Sequence, residues 1–323
     1  MSQSNSEMHL TRRAALALGG GTAAGLLLPG GTTALAAAKG GRLLRQSGRL
    51  PSLKDLEGIL HAEGELSEGL AHFSIDRDDA KDVKGPMGID FSGSFEINGD
   101  LYLQPLKGGK LAFLNGDVPL KPQELNPFID ALLANDLTFQ AMHQHYFDLR
   151  PMYWFIHFRG VGEPLALAKA AKAALDTTAI PFPQKGPEKP STPFDARRLA
   201  KILHGTATVG DEGVVTVDIS RKGRVAIEGV EVNTDANLST NVQFKPHGKG
   251  KDAAAAGPDF SLTASEVMPV VSLMRGAGWE VHCLYNQETA EAPQLYFSHM
   301  LKTGNVYELA EEIRKGIDLT HAD

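Results

Sequence analysis

The sequence predicts an α+β protein made of two tandem homologous repeats. Each repeat is expected to be an antiparallel sheet with a βαββα core and helices on one face, and the two are expected to pack as a pseudo-dimer. The first observation is that residues 119–140 align with residues 261–282 at a constant offset of 142. The same offset then pairs further identical residues: Pro151 with Pro293, Phe155 with Phe297, His157 with His299 and Gly162 with Gly304. The second observation is that strand-like alternation and helix-like spacing follow in the same order in each copy.

The boundaries of the chain's parts follow from composition. Residues 1–38 are predicted to be a twin-arginine-type signal peptide, residues 51–178 the first repeat and residues 195–320 the second. Between the repeats, residues 179–194 carry five prolines, at 181, 183, 187, 190 and 193. Proline disfavours helix and removes backbone donors, so this segment is predicted to be an extended linker.

The N-terminal segment has the three parts of an export signal. Arg12 and Arg13 precede an apolar run over residues 14–28, and the small residues Ala34 and Ala36 follow. The alternative is a membrane anchor, but four glycines between residues 19 and 25 and Pro29 make the run too weakly apolar to span a bilayer comfortably. The paired arginines therefore favour export to the periplasm or the exterior, with no stable membrane insertion after cleavage.

Charge and cysteine content exclude several classes. The net charge of −7 becomes −8 once residues 1–38, with Glu7, Arg12 and Arg13, are removed. A mildly acidic protein is not drawn to nucleic acid or to anionic lipid. Cys283 is the single cysteine, so an internal disulfide is impossible, and no cysteine near the cleavage site could accept a lipid. We therefore expect a protein that is not a lipoprotein.

Each repeat is predicted to open with a short helix, over residues 52–60 with Ser52 as N-cap and over residues 195–203. Alternating strands follow at residues 70–76, 91–97 and 101–105, then at 214–220, 225–227 and 241–244. Asn98-Gly99 predicts a hairpin turn. A strand near residues 111–114, which residues 253–256 replace poorly, leads to a helix from 121 or 122 to 134, then a hairpin and a helix over 164–175.

The hairpin, residues 138–160, carries the one dense group of candidate ligands. With the turn on residues 147–151, paired residue numbers should sum to about 300, so that His143 lies opposite His157 and His145 lies beside Phe155. The opposite face then receives the apolar set Met142, Trp154, Ile156 and Phe158, which suits packing under the helices. All three histidines should therefore face away from the helix layer.

Three imidazoles in this arrangement suit a divalent transition metal such as Zn, Cu, Fe or Ni, so His143, His145 and His157 are predicted metal ligands. Asp117 and Glu124 are candidates for an additional ligand or base, and Asp148 and Glu163 are also near in sequence. The alternative is a set of polar residues on a half-exposed sheet. The second repeat has Tyr285, Gln287 and His299 at the matching positions, which keeps one histidine of three.

The hairpin and its flanks resemble the LppY/LpqO family of exported bacterial proteins of unknown function. The resemblance rests on Gly116-Asp117, on residues 124–127, on His143-Gln144-His145 and on residues 157–164, and it extends over most of the mature chain in two copies. The sequence departs from that family at Arg159 and Val161, where further histidines are often found. The resemblance implies export and internal duplication but gives no activity to carry over.

These patterns predict an exported protein that binds a transition metal or a small molecule at a histidine cluster in the first repeat. If it is catalytic, metal-assisted hydrolysis or oxidation is the expected class, with Asp117 or Glu124 as base. The sequence contains no serine nucleophile elbow, phosphate loop, dinucleotide fingerprint or HExxH motif, so it assigns no reaction. The alternative is a non-catalytic cell-envelope binding or scaffold protein. No feature of the sequence fixes the oligomeric state.

Overall fold

A computed structural model describes residues 43–188 and 190–322, so the predicted signal peptide, residues 1–38, lies outside the described residues. The first repeat contains α1 (Leu53–Leu60), β1 (Gly64–Ser67), β2 (Leu70–Ser74), β3 (Val83–Lys84), β4 (Asp90–Phe91), β5 (Asp100–Leu106), β6 (Leu111–Leu120), α2 (Leu125–Ala134), β7 (Thr138–His143), β8 (Trp154–Gly162) and α3 (Pro164–Leu175). Six of these strands form one antiparallel sheet in the order β1-β2-β5-β6-β8-β7. Strands β3 and β4 pair separately.

The second repeat repeats this order. It contains α4 (Ala196–Leu203), β9 (Thr206–Val209), β10 (Val215–Ile219), β11 (Val225–Ile227), β12 (Val230–Val232), β13 (Thr240–Pro246), β14 (Ala253–Thr263), α5 (Ala264–Gly276), β15 (Glu280–Val281), β16 (Glu291–Ala292), β17 (Leu295–Asn305) and α6 (Val306–Ile317). Its main sheet has the order β9-β10-β13-β14-β17-β15, which matches the first sheet strand for strand. Strands β12, β11 and β16 form a small extra sheet.

Three helices cover one face of each six-stranded sheet. In the first repeat Leu56 of α1, Phe128 of α2 and Ala168 of α3 share one buried core with Phe158 of β8. A second core joins residues of α4, α5 and α6 to β14 in the same way. The predicted α+β class with antiparallel sheets is therefore confirmed. Among the described residues, no helix has the length and apolarity needed to cross a membrane.

The other face of each sheet contributes to apolar clusters that contain residues of both repeats. Phe155 of β8 lies in one cluster with Ala255 of β14 and Leu301 of β17. Phe113 of β6 lies in another with Phe297 of β17. Burial of apolar area is the main favourable term in folding, so these mixed clusters stabilise the two repeats together. All described residues belong to one compact unit.

The predicted register of the β7–β8 hairpin is wrong by two residues. His143 lies opposite Phe155, and His157 lies opposite Ala141. A bulge between Phe139 and Ala141 shifts the ladder by one further residue at the far end of the hairpin. The predicted short turn is also wrong: the strands are joined by residues 144–153, because Tyr146, Leu149 and Tyr153 leave the strand path to become buried in the mixed cluster. A slip of two residues preserves the predicted faces.

Two smaller predictions are also wrong. Asn98-Gly99 is not a hairpin turn, because Gly99 exchanges backbone hydrogen bonds of 2.7 and 3.1 Å with Ile75. A Cβ at Gly99 would lie 2.4 Å from the carbonyl oxygen of Asp117, so only glycine fits there. Residues 253–256 begin the 11-residue strand β14, the full counterpart of β6. Ala254, Ala255 and Ala256 are fully buried, and pairing with β13 and β17 keeps them in the strand.

Candidate metal centre

A row of polar residues crosses each six-stranded sheet on the face opposite the helices. Directly paired residues on neighbouring strands point to the same side of a sheet. In the first repeat the row is Ser74, Asp100, Asp117 and His157, on β2, β5, β6 and β8. In the second repeat it is Asp218, Asn241, Asp259 and His299, on β10, β13, β14 and β17. The same register therefore sets an aspartate beside a histidine in each repeat.

Six of the eight row residues line one cavity of about 80 Å³: Asp100, Asp117, Asp218, Asn241, Asp259 and His299. Its described lining also includes Glu96, Asn98, Tyr102, His145 and Gln243. Six carboxylates line it, from Glu96, Asp100, Asp117, Asp218, Asp235 and Asp259, whereas no lysine or arginine does so within the described residues. A cavity lined by many carboxyl groups and by no lysine or arginine among the described residues favours a cation.

Each row contains one aspartate–histidine pair, and both aspartates and His299 line the cavity. Asp117 Oδ1 lies 3.6 Å from His157 Nε2, and Asp259 Oδ1 lies 3.6 Å from His299 Nδ1. Both distances exceed those of ordinary hydrogen bonds. The two carboxylate oxygens are buried and have no hydrogen-bond partner in the described part of the chain. The rows therefore present unused ligand atoms to the cavity.

Two of the predicted histidines bind each other. His143 Nε2 lies 2.8 Å from His157 Nε2, so one ring nitrogen carries a proton and donates it to the other. The His143 ring also stacks on Tyr285 of the second repeat, with centroids 3.5 Å apart. Burial lowers the pKa of His157 to about 3 and the pKa of His143 well below its ordinary value. Both rings are therefore neutral imidazoles at neutral pH.

The third predicted histidine, His145, lies beyond the end of β7 and contacts the second repeat. Its ring stacks between Phe155 and His299, with centroid distances of 3.3 and 3.7 Å. The possible ligand atoms of Glu96, His145 and His299 all lie within 4.8 Å of one another. No side chain of the described residues hydrogen-bonds to either ring nitrogen of His145, although the side chain is buried; the Glu96 main chain raises its pKa against the larger effect of burial.

Burial sets the protonation of this group. It is the main cause that raises the pKa of Glu96 to about 8; the Tyr146 hydroxyl lowers that pKa and the charge of Asp259 raises it. Burial also lowers the pKa of His145 and of His299 well below the ordinary value. Two neutral imidazoles and a carboxyl that a cation would ionise form a donor set for Zn, Cu, Fe or Ni.

The other predicted carboxylates divide into those at the cavity and those elsewhere. Asp117 lines the cavity. Glu124 is not brought to the histidines: its Oε2 accepts from Arg77 Nη1 at 2.7 Å and from the Lys121 N–H at 2.8 Å. Glu163 caps α3 by accepting from the Ala166 N–H, and Asp148 is an exposed loop residue. These three have local structural roles.

The second-repeat counterparts also line up at the site. The Tyr285 hydroxyl donates to Asp259 Oδ2 at 3.4 Å, and Gln287 Nε2 donates to the Tyr285 oxygen at 3.3 Å. His299 completes the group with Glu96 and His145. Tyr285 and Gln287 thus hold Asp259 and one another in place of the two histidines of the first repeat.

Two residues of the site escaped the sequence analysis. Asp259 stands at the offset of 142 from Asp117, so the duplication itself could have identified it. Glu96 follows strand β4 in an irregular segment, and its main-chain N–H donates to Gln243 Oε1 of the second repeat at 2.9 Å. No spacing or motif in the sequence points to that contact.

Comparisons with known proteins bear on the family and not on the site. The family model described as Domain of Unknown Function (DUF1259) matches residues 54–177 and 197–319, one match in each repeat. This confirms the predicted duplication. No curated protein matches the chain.

Solved structures give distant similarities only. The trimeric bacterial microcompartment shell protein PduB is 10% identical with a TM-score of 0.21, over 79% of this chain and 89% of that one. EtuB from Clostridium kluyveri is 10% identical with a TM-score of 0.17, over 80% of this chain and 91% of that one. Scores this low carry no argument about fold or function.

Proposed function

The chain belongs to the family of the Domain of Unknown Function (DUF1259). Because this family has no assigned function, we propose one from the geometry of the site. We propose that the protein binds a divalent transition metal of the Zn, Cu, Fe or Ni group between its repeats. The ligands are Glu96 and His145 of the first repeat and His299 of the second. Their potential donor atoms lie within 4.8 Å of one another, close to the separation of ligands that share one ion.

The observation that carries this proposal is the state of His145. The side chain is 7% exposed, yet no side chain of the described residues hydrogen-bonds to its ring nitrogens, and the Glu96 main chain can satisfy one of the two at most. Leaving a buried polar group without a partner costs about 1–3 kcal/mol. A metal bond to one nitrogen supplies that partner, and neutral imidazole is the form that binds metals.

His143 and His157 support the site without being its first ligands in this proposal. Their mutual hydrogen bond makes the two rings opposite tautomers, one with its proton on Nε2 and the other with its proton on Nδ1. His143 also lies beside His145, with ring centroids 5.0 Å apart. We propose that this pair holds the His145 ring in position. Of the three histidines that the sequence predicts as ligands, His145 is then the one that binds the metal.

The setting of this function is also a proposal. The pair Arg12-Arg13 before an apolar run, together with the resemblance to the LppY/LpqO family, supports export by the twin-arginine route. Because that route carries folded proteins, a metal acquired in the cytoplasm would be retained. The matching strand orders and the 2.6 Å ion pair from Arg159 to Glu288 support a pseudo-dimer arrangement of the repeats.

The test is elemental analysis of the protein purified without a histidine tag, after Zn, Cu, Fe and Ni are offered separately. We expect stoichiometric metal in the wild type and in His143→Ala, and its loss in His145→Ala and His299→Ala. His247→Ala, the same substitution in a loop away from the cavity, is the matched control and should keep the metal.

Two results would overturn the proposal: no metal in the wild type under any condition, or unchanged metal content in both His145→Ala and His299→Ala. The first would favour the non-catalytic binding or scaffold alternative. Circular dichroism reports whether each variant folds, and His145→Gln offers a polar replacement of similar length if the alanine variant does not.

A further inference from the structure

The carboxylates of the two polar rows form a second set of possible ligands in the same cavity. We propose that Asp117 and Asp259 bind a second cation, an oxygen-preferring divalent ion such as Ca²⁺ or Mg²⁺. This ion would lie in the same cavity as the proposed transition metal but would be held by different residues. The inference therefore does not depend on whether Glu96, His145 and His299 bind a metal.

The first argument is the unused oxygen atom on each of these aspartates. Asp117 is 7% exposed, lines the cavity, and its Oδ1 has no hydrogen-bond partner in the described part of the chain. Asp259 Oδ1 is in the same state, while its Oδ2 accepts from Tyr285. A buried carboxylate oxygen without a donor is a costly arrangement unless a cation supplies the missing interaction.

The second argument is charge balance. Asp100 has a charged partner, since His72 Nε2 lies 2.6 Å from its Oδ1. Asp117 and Asp259 have only imidazoles at 3.6 Å, from His157 and His299. At that distance neither imidazole makes an ordinary hydrogen bond to the aspartate beside it. A divalent cation bound by the two carboxyl groups would supply the positive charge that no lysine or arginine brings to the described lining of the cavity.

The third argument is the chemical type of the neighbouring donors. Ca²⁺ takes roughly 6–8 oxygen ligands from carboxylates, amides and water. Asn98 and Asn241 line the cavity beside the aspartates. The amide nitrogen of Asn241 donates a hydrogen bond to Asp218 Oδ1 at 2.7 Å, which leaves the amide oxygen available as a ligand. Oxygen donors favour Ca²⁺ and Mg²⁺, whereas imidazoles favour transition metals. The two sets of side chains should therefore bind different kinds of ion.

The duplication separates the two ligand sets. The aspartates stand at the same register in both repeats, on β6 and on β14. His145 has Gln287 as its counterpart, so the proposed transition-metal ligands have no equivalent second set. The carboxylate pair is thus a symmetric feature of the two-repeat architecture, and the transition-metal ligands are an addition to it.

The experiment is isothermal titration of the tag-free full chain with CaCl₂ and, separately, with MgCl₂. We expect saturable binding of at least one of these ions by the wild type. Asp117→Asn and Asp259→Asn should weaken it by at least about tenfold, since even outer-shell changes have effects of that size. Asp148→Asn, the same change at an exposed loop position, should leave it unaltered.

The variants also distinguish the two sites. His145→Ala should lose the transition metal and keep Ca²⁺ or Mg²⁺ binding, while Asp117→Asn should do the reverse. The proposal is overturned if the wild type binds neither ion, or if both asparagine variants bind as the wild type does. Should a variant not fold, the wild type alone decides: its melting temperature must rise with the concentration of Ca²⁺ or Mg²⁺.

Discussion

The imidazole of His72 shows how a single residue controls the charge of the cavity wall. Its Nε2 lies 2.6 Å from Asp100 and its Nδ1 3.1 Å from Glu65, while the ring stacks on Tyr102 at 4.5 Å. Burial lowers its pKa, but the hydrogen bonds to Asp100 and Glu65 outweigh this and raise the pKa to about 10. His72 is therefore charged at neutral pH, and it compensates the carboxylate next to Asp117 in the row.

This charge makes stability depend on pH in a defined window. The folded pKa of about 10 lies above the ordinary 6.5, so the contribution of His72 is fully present below about pH 6.5 and is lost as the pH rises towards 10. We expect the free energy of unfolding to fall across this range, and His72→Gln to make that fall smaller. Urea denaturation at several pH values measures it. His247→Gln should retain the wild-type slope, and an unchanged slope in His72→Gln would contradict the assignment.

Residue spacing predicts part of the site and cannot predict the rest. Alternation along a strand gives the shared face of His143 and His157, because an even slip in register leaves faces unchanged. The partners of His145 depend instead on a ten-residue connection, residues 144–153, whose path is set by burial of Tyr146, Leu149 and Tyr153. Tertiary packing of that kind leaves no periodic pattern in the sequence.

At the scale of elements, the start of a helix in each repeat is held by a buried ion pair. Arg77 Nη1 donates to Glu124 at 2.7 Å before α2, and Arg221 Nη2 donates to Glu266 at 2.9 Å at the start of α5. Each glutamate also accepts the N–H of its own N-cap residue, Lys121 or Thr263. The glutamate that the sequence suggests as a ligand or base is thus engaged in capping.

Breaking this pair should destabilise the fold strongly. Arg77 is fully buried, so Arg77→Leu leaves Glu124 buried without its guanidinium, and we expect a loss of about 3–5 kcal/mol in the free energy of unfolding. Arg45→Leu removes a 3.1 Å pair with Glu231 at a half-exposed side chain, and should change it by about 0–1 kcal/mol. Urea denaturation of both variants checks this; equal losses would contradict a special role for the buried pair.

Helices are the elements that the sequence predicts best. Helix α3 has the predicted bounds, Pro164–Leu175, and α1 and α4 follow Ser52 and Asp195, whose side chains cap them. Capping residues and apolar spacing are local signals, which is why they succeed. Strand β14 was underestimated because alanine has low strand propensity, and its pairing with β13 and β17 overrides that propensity.

At the scale of the molecule, buried polar contacts join the repeats as well as apolar ones. Arg159 Nη1 donates to Gln140 at 2.7 Å within its own repeat, and to Glu288 at 2.6 Å and the Thr289 carbonyl at 2.9 Å in the other. Burial raises the pKa of Glu288 to about 7, while Arg159 lowers it. Each repeat therefore buries a charge that the other repeat satisfies.

We expect the repeats to unfold as one unit, because the mixed clusters and Arg159 are lost from both when either unfolds. The two tryptophans, Trp154 and Trp279, report on one repeat each. Trp154→Phe and Trp279→Phe leave a single reporter in the second and the first repeat. For each variant, tryptophan fluorescence and circular dichroism should give the same midpoint of urea denaturation. A separate midpoint for one half would contradict this expectation.

The proposed ligands come from both repeats, and this limits how such a chain can evolve. Glu96 and His145 come from the first half and His299 from the second, so severing the chain at the proline segment would divide the proposed ligands between two fragments. Neither half could be transferred to another protein as a working module. A duplication that began with two equal copies has in this way become indivisible.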